Sequence, residues 1–562
     1  MAVKRQHSIQ RAFVGMDDVT IGNRTQGREI HIQNMLPSDR TQPSSLVPRP
    51  GLTSMTIASA PEGQTSAVGT FIADASSARL DFAVMGGQIY SSANGSDTLT
   101  LVVTTANLTT NSITLAGINE IVYWVEFNGT VVFNDETNQP FAWDGASGAG
   151  GLTLLSNAPA TCVGKPTVYY AKVFFIKEEN VLVWSEENDS NLGYEAGGYN
   201  NAWTVGQTSG EDILAIEGTN DALWYWRPHG IGIIAGRVTP DFQTTGVHDA
   251  VSSTVGGTKG SVAYYNDRMW WVDSTGRPFM AHVSGGELVP LWKRLRRFFR
   301  REAWTDVSGN NPYGLDTATF NYQVATGGTS FVFSVADETE GVVYFFLNGR
   351  DSGIAAIFDA ESSECLSWLR TQAGTFGCGT MFLEAAPTDG QGSQCLALGG
   401  RGSDAGVWKM KLALTGGPVS DTRTDGSERA IVALLVGEPL PEPGVAEYWY
   451  DRLDVDVLVP VEDDTDNTVR VSLTTYDSHA PSSLDSPSAL TVDLQRVGGG
   501  TEVRSLPGRA VFGLDKSGRY LVPKIQIQRV DDDGSLETNL DKVAINSYTL
   551  LYGVVSSEVG IA

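Results

Sequence analysis

The chain has 562 residues and a formal net charge of −26, from 39 Lys and Arg against 65 Asp and Glu. So acidic a surface repels phosphate, which excludes a nucleic-acid binder of the usual basic kind. The length is also sufficient to bury a large core without a disulfide or a metal ion.

The first sixty residues (1–60) are predicted to form an extended N-terminal arm. The stretch from Asn34 to Met55 is rich in Pro and Ser and has no helical period. Its prolines, at positions 37, 43, 48 and 50, favour extended backbone. The arm is interpreted either as a leader laid on the surface or as a segment held at Val47 to Leu52 in a sheet or a subunit seam.

Residues 61–425 are predicted to form a β-propeller-like domain of an all-β protein. Short runs of Val, Ile, Thr, Tyr, Phe and Trp are separated by turn residues. The clearest turns are Gly86-Gly87, Asn128-Gly129, the region of Asn180, Asn220-Asp221 and Asn266-Asp267. Their intervals of about 40 to 50 residues match the length of a four-stranded propeller blade.

One short stretch departs from this pattern and from the acidic balance of the chain. The sequence LWKRLRRFFRR, from Leu291 to Arg301, carries six positive charges and no acid. Leu288, Leu291, Leu295 and Phe298 recur at three and four residues, which predicts one short basic helix near residues 288–301. Such a helix is typical of a solvated face, a membrane surface or a partner groove.

We expect this helix to pack its apolar stripe against a blade and to turn its cations toward an acidic surface of a neighbouring protein. The predicted interface residues are those of this segment and of the strand entry that ends the arm: Arg49, Pro50, Gly51, Lys293, Arg294, Arg297, Arg300 and Arg301.

A C-terminal β domain is predicted for residues 430–562. A Pro-rich linker precedes it, and strands of alternating polarity follow. Between Arg452 and Val457 the alternation places Leu453, Val455 and Val457 on one face and the acids on the other.

No arrangement of residues in the sequence points to catalysis, a cofactor or a metal. There is no G-x-S-x-G motif, and the six histidines and four cysteines lack metal-binding spacing. The cysteines are interpreted as reduced thiols, and no apolar run reaches the length of a signal peptide core or a membrane span. These features favour a soluble protein made in a reducing cytoplasm.

Several short sequence motifs, taken in chain order, resemble those of a known family. They are Arg49-Pro50-Gly51, Met85 to Tyr90, Val183-Trp184-Ser185, Ile213 to Ile216 with Leu223-Trp224, Gly260 to Asp273, and Gly518-Arg519-Tyr520. Together they resemble the tail nozzle proteins of short-tailed bacteriophages, also called head-to-tail stabilisation or tail tubular B proteins.

The resemblance implies a structural virion protein of the phage tail, made in the host bacterial cytoplasm. Its implied partners are other copies in a hexameric ring, an adaptor protein, tail fibre or spike proteins, and double-stranded DNA that passes without specific binding. Two other hypotheses stay open: a carbohydrate-binding or depolymerising propeller of a phage tail, and a plain interaction propeller.

Overall fold

The structure is a computed structural model. It describes residues 13, 31–37, 45–49, 51–58, 63–93, 96–115, 121–178, 180–190, 202–205, 211–238, 247–295, 332–347, 354–371, 376–383, 394–401, 405–410, 420–422, 428–431, 433–437, 447–461, 468–476, 489–494, 504–518, 521–530, 536–537 and 544–555.

The described residues of the arm form five short strands. They are β1 (His31–Gln33), β2 (Met35–Pro37), β3 (Leu46–Pro48), β4 (Leu52–Ser54) and β5 (Thr56–Ile57).

In the described part of the chain, seven antiparallel blades of four strands follow, and the arm strand β5 adds a parallel strand at the edge of blade 1. Blade 1 has β6 (Thr65–Ala73), β7 (Ala78–Met85), β8 (Gln88–Ala93) and β9 (Thr98–Val103). Blade 2 has β10 (Tyr123–Phe127), β11 (Thr130–Asn134), β12 (Phe141–Trp143) and β13 (Leu152–Leu154). Blade 3 has β14 (Val163–Tyr169), β15 (Lys172–Glu178), β16 (Val181–Trp184) and β17 (Ala202–Thr204). Blade 4 has β18 (Ala215–Gly218), β19 (Ala222–Trp226), β20 (Ile231–Ala235) and β21 (Val247–Ser252).

The remaining blades complete the ring. Blade 5 has β22 (Ala263–Tyr265), β23 (Arg268–Val272), β24 (Pro278–His282) and β25 (Val289–Pro290). Blade 6 has β26 (Val332–Asp337), β27 (Val342–Leu347), β28 (Ile354–Asp359) and β29 (Cys365–Arg370). Blade 7 has β30 (Phe376–Leu383), β31 (Gln394–Gly400), β32 (Gly406–Met410) and the arm strand β4. An α-helix (Thr105–Thr110) and 3-10 helices at Ala149–Gly151 and Leu291–Leu295 lie between strands.

Tight turns at positions predicted from the sequence explain how consecutive strands pair within a blade. Gly86 and Gly87, with φ of 57° and 73°, join β7 to β8, as the sequence predicted. Asn266 and Asp267, with φ of 54° and 53°, join β22 to β23 in the same way. Positive φ at both central residues gives a turn whose twist matches that of the flanking strands.

The ring is closed by the arm. β4 is the fourth strand of blade 7, and Leu52 pairs with Met410 in its antiparallel ladder. The first strand of every blade lines one central cavity. The chain is therefore an all-β protein, and its described strands form a β-propeller of seven blades as the main body.

The residues described after the propeller form ten further strands. They are β33 (Ser420–Thr422), β34 (Glu428–Ala430), β35 (Ala433–Val436), β36 (Glu447–Val461), β37 (Thr468–Tyr476), β38 (Leu490–Leu494), β39 (Arg504–Gly518), β40 (Val522–Val530), β41 (Leu536–Glu537) and β42 (Ala544–Val555).

Most of these strands form two sheets that share one core. One sheet has the order β35-β40-β37-β38, and the other has β42-β36-β39 with the arm hairpin β2-β3 at its edge. Leu453, Val455 and Val457 are fully buried, so the predicted alternation that places these three side chains on the inner face of β36 is confirmed. Their cluster includes Ile525 and Ile527 of the opposite sheet.

The arm joins this sandwich to the propeller. β1 pairs in parallel with β29 of blade 6 on one side and antiparallel with β35 on the other. The blade 6 sheet and one sandwich sheet are thereby a single hydrogen-bonded sheet. The arm strands β1 to β4 thus contribute buried side chains to the cores of both parts.

The helix predicted near residues 288–301 differs from the observed element at its start. Val289–Pro290 pairs with β24 as the last strand of blade 5, and the helical turn is a 3-10 helix that begins at Leu291. Completion of the blade outweighs the helical spacing of Leu288, because the ladder satisfies backbone groups at a sheet edge. Leu291 and Leu295 are buried as expected, and Phe298 lies outside the described residues.

Candidate functional site

Arg49, the first of the predicted interface residues, lies inside the chain with only 1% of its surface exposed. Its Nη2 donates to Oδ2 of Asp421 at 2.6 Å and to the carbonyl oxygen of Arg370 at 3.1 Å. Its Nε donates to Oδ1 of Asn34 at 3.0 Å. A buried guanidinium is tolerated because these acceptors replace its water.

The same partners also fix the backbone around Arg49. Oδ1 of Asp421 accepts the N–H of Leu52 at 3.1 Å, and Oδ1 of Asn34 accepts the N–H of Arg370 at 2.8 Å. We call Asn34, Arg49, Arg370 and Asp421 the arm lock. It joins the arm, blade 6, the closing strand of blade 7 and β33 at one point.

The other two residues of the predicted strand entry lie beside the arm lock. Gly51 is buried between Arg49 and β4, and Pro50 lies outside the described residues. A role for this strand entry between subunits stays a prediction.

The basic segment, Lys293 to Arg301, begins in the connection between blades 5 and 6. Lys293 is exposed, and the ring of its neighbour Trp292 lies 4.6 Å from the guanidinium carbon of Arg277. The side chain of Arg294 and the whole of Arg297, Arg300 and Arg301 lie outside the described residues.

A central cavity of about 650 Å³ runs between the first strands of all seven blades. Buried apolar residues form much of its wall: Val68, Val122, Val262, Phe333 and Met381. This volume lies within the range of about 300 to 1,000 Å³ that is typical of small-molecule sites.

An ion pair lies at the end of the propeller where the first strands begin. Lys259, before blade 5, and Glu136, in blade 2, lie 2.8 Å apart, so the pair spans the propeller axis. The same Glu136 oxygen accepts the N–H of Gly164 at 2.6 Å. Burial, and to a smaller extent the charge of Glu136, raises the pKa of the nearby Tyr123 hydroxyl.

The opposite end of the cavity is lined by carboxylates. Glu126, Glu217 and Glu338 stand where the first strands of blades 2, 4 and 6 end. Glu217 pairs with Lys165 at 3.1 Å, and the ring of Tyr264 is 38% exposed at the same end. Carboxylates beside an exposed aromatic ring can bind hydroxyl-rich or basic groups.

This end belongs to a surface that we call the turn face. It comprises the connections between the first and second and between the third and fourth strands of the blades. Neighbouring blades are hydrogen-bonded across it: the N–H of Asp74 donates to the carbonyl of Gly129 at 2.8 Å, and the Tyr169 hydroxyl donates to that of Gly236 at 2.9 Å.

The turn face is strongly acidic. In the connections that the structure describes, Arg237 is the one exposed Lys or Arg. The exposed acids of these connections are Asp74, Asp97, Glu186, Glu187, Asp221, Asp267, Glu287, Glu338 and Glu361. On the opposite face the described connections expose one acid, Asp212, and one lysine, Lys293.

Two groups near the cavity have shifted pKa values. Burial raises the pKa of the Asp81 carboxyl to about 6, against the opposing effects of Lys409, Thr70 and Arg79. Burial also raises the pKa of the Cys378 thiol to about 12, so it is protonated at neutral pH and is a poor nucleophile.

Among the described residues, no three His, Cys, Asp or Glu side chains form a group that could hold a metal ion. No helix in this part of the chain is long and apolar enough to cross a membrane.

No family model and no curated protein matches the chain. Solved structures that resemble it include the crystal structure of the computationally designed Ika8 protein, with 10% identity and a TM-score of 0.36 over 64% of this chain and 100% of that one. Another is BamB from Moraxella catarrhalis, with 12% identity and a TM-score of 0.34 over 73% of this chain and 97% of that one. The molecule is a β-propeller by its own sheet order, and these likenesses do not bear on its function.

Sequence reasoning did not identify the partners of Arg49. Asp421 lies 372 residues from Arg49 in a polar stretch that looks like any solvated loop. Asp81 was missed too, although an acid between Leu80 and Phe82 in an apolar strand is a signal that could have found it.

Proposed function

We propose that the protein is a structural subunit of the tail nozzle of a short-tailed bacteriophage. In this role about six copies form a ring that continues the DNA channel below the portal and adaptor and allows the genome to leave. The proposal starts from the resemblance of the sequence motifs to that family.

The observation that supports it most is the way the arm joins the parts of the chain. β1 continues the blade 6 sheet into the sandwich, β4 closes blade 7, and the arm lock connects both. An isolated propeller needs neither the sandwich nor the connection. A subunit that transmits load between a capsid connector and a cell surface benefits from sheets that share hydrogen bonds.

Charge and size support a conduit between copies and not through one propeller. The propeller cavity has a volume of about 650 Å³, which suits a small molecule and not a duplex. An acidic protein wall repels the phosphates from all sides, whereas a basic wall would bind the duplex by counterion release.

The test is the mass of the purified full chain in solution, alone and with its adaptor protein. We expect a closed ring of about six copies in at least the second condition. A stable monomer in both conditions would contradict the proposal.

A second candidate function is binding or depolymerisation of a carbohydrate at the cavity mouth. The carboxylates of Glu126, Glu217 and Glu338 beside the exposed Tyr264 ring favour it. Incubation of the protein with host polysaccharide, followed by an assay for new reducing ends, tests it. Activity that is lost in Glu338→Gln would favour this candidate over the nozzle.

A further inference from the structure

We propose that the turn face of one copy binds the basic segment, Lys293 to Arg301, of a second copy. This inference rests on the proposed function, because it describes how the copies of the ring hold one another.

The first argument is the charge difference between the two faces of the propeller. The described connections of the turn face expose nine acids and one arginine, whereas those of the opposite face expose one acid and one lysine. The acids are distributed over five of the seven blades. A surface of this sign attracts a cationic partner and repels another acidic one.

The second argument is that large apolar side chains stand among these acids. Ile72 is 55% exposed, Tyr170 is 45% exposed and Tyr264 is 38% exposed. They lie at or near the turns of blades 1, 3 and 5, on the same face. Aromatic and aliphatic anchors surrounded by charged groups are typical of a protein interface.

The third argument is the composition of the basic segment. It supplies six cations, and Phe298 and Phe299 lie among them. Arginines beside aromatic rings complement a surface of carboxylates, tyrosines and an isoleucine. The chain has no other run of this kind, and every copy carries one.

The fourth argument is that the start of the segment is fixed on the other face. Leu291 and Leu295 are buried in the cluster that includes Trp270 of blade 5 and Phe345 of blade 6. β25, which precedes them, ends at the face opposite to the turn face. The segment therefore starts on the face of its own propeller that is opposite to the turn face. The turn face of a neighbouring copy, in contrast, can lie against the segment.

A contact between two different faces of the same chain is heterologous. When such contacts repeat from copy to copy, they form a closed ring if the successive rotations bring the last copy back to the first. The proposed contact is therefore compatible with the cyclic assembly proposed above.

The experiment is a charge exchange between the two surfaces. The first variant is Asp221→Lys, Glu287→Lys and Glu338→Lys, three exposed turn-face acids whose carboxylates hold no hydrogen-bond partner among the described residues. The second is Arg294→Glu, Arg297→Glu and Arg301→Glu, and the third combines both sets. The matched control is Glu178→Lys, Asp212→Lys and Asp451→Lys, which makes the same change of net charge at exposed sites away from the turn face.

Self-association is measured by sedimentation velocity at about 0.05 M and about 0.5 M salt, which separates screened from unscreened contacts. We expect each single set to weaken association about tenfold or more at low salt, and the combined variant to regain most of the loss. The control should associate like the unmodified chain. Circular dichroism confirms that each variant is folded.

The proposal is overturned if the turn-face set associates like the control, or if the combined variant is no better than either set alone. If the unmodified chain forms a ring that is insensitive to all three variants, this inference fails and the proposed function stands. If the unmodified chain is monomeric with and without its adaptor, both fail.

Discussion

Arg49 and Asp421 form an ion pair of 2.6 Å in which both side chains are at most 1% exposed, although 372 residues separate them. The pair lies where the arm turns from the sandwich to the closing strand of blade 7. A buried charge that loses its partner is strongly destabilising, because no water replaces the lost contact. The ion pair therefore holds the two ends of the propeller together, and removal of either partner leaves the other charge buried and unpaired.

We expect Arg49→Met to lower the free energy of unfolding by about 3 to 5 kcal/mol, because it leaves the Asp421 carboxylate buried and unpaired. Combining it with Asp421→Leu should recover a large part of this loss, since the uncompensated charge is then absent. Urea titration followed by tryptophan fluorescence measures both.

The matched control for this prediction is Arg470→Met in the sandwich. Arg470 makes two hydrogen bonds of 2.8 and 2.9 Å to Asp493, but these side chains are 31% and 46% exposed. Its loss should cost less than about 1 kcal/mol. Equal losses for Arg49→Met and Arg470→Met would show that the arm lock contributes nothing beyond a surface pair.

A second prediction concerns the spacing of blades 3 and 4. A Cβ atom on Gly218 would lie 2.1 Å from the carbonyl oxygen of Val168 in the neighbouring blade, and backbone cannot move away as a flexible side chain can. We expect Gly218→Ala to cost about 1 to 3 kcal/mol of stability. Thermal and urea unfolding measure the change.

Gly150 provides the comparison, because nothing lies within 4 Å of a Cβ atom placed there. Gly150→Ala should be neutral or slightly stabilising, since it restricts the unfolded chain. If both substitutions have the same effect, the close approach of the blades does not limit the residue at position 218.

The turns of the propeller could be predicted from the sequence because their requirement is local. Asn128 and Gly129 adopt φ of 48° and 73°, a conformation that these two residue types tolerate best. The closing of the ring could not be predicted, because Leu52 pairs with Met410 and no local signal records a pairing over that distance. The number of blades depends on this closure.

The candidate site could also be predicted from the sequence only in part. The basic segment was visible as a run of charge, but the acidic turn face is assembled from single acids in many separate connections, such as Asp74, Asp221 and Glu361. The sequence motifs that resemble the tail nozzle family lie mostly in blade strands, where Trp184, Trp224 and Trp271 are at most 1% exposed. Such residues report how blades pack and say little about what the surface binds.

A third prediction concerns pH and Asp81. Its carboxylate lies in β7 with 1% exposure, where burial outweighs the opposing effects of Lys409, Thr70 and Arg79. Burial raises its pKa from 3.8 to about 6, so that between these values the folded chain binds more protons than the unfolded chain does. The contribution of Asp81 to stability therefore falls as the pH rises through this window and is constant above it. The shift corresponds to a loss of about 3 kcal/mol at most.

Asp81→Asn removes the charge at nearly constant shape, so it should be more stable than the unmodified chain by about 1 to 3 kcal/mol at pH 7.5 and by little at pH 4. Urea unfolding at half-unit steps from pH 4 to pH 7.5 measures the difference between the two proteins. Asp74→Asn is the control, because Asp74 is an exposed acid in the next turn of the same blade and is solvated whether or not the chain is folded. A stability difference for Asp81→Asn that is the same at every pH would exclude a titrating buried carboxylate at this position.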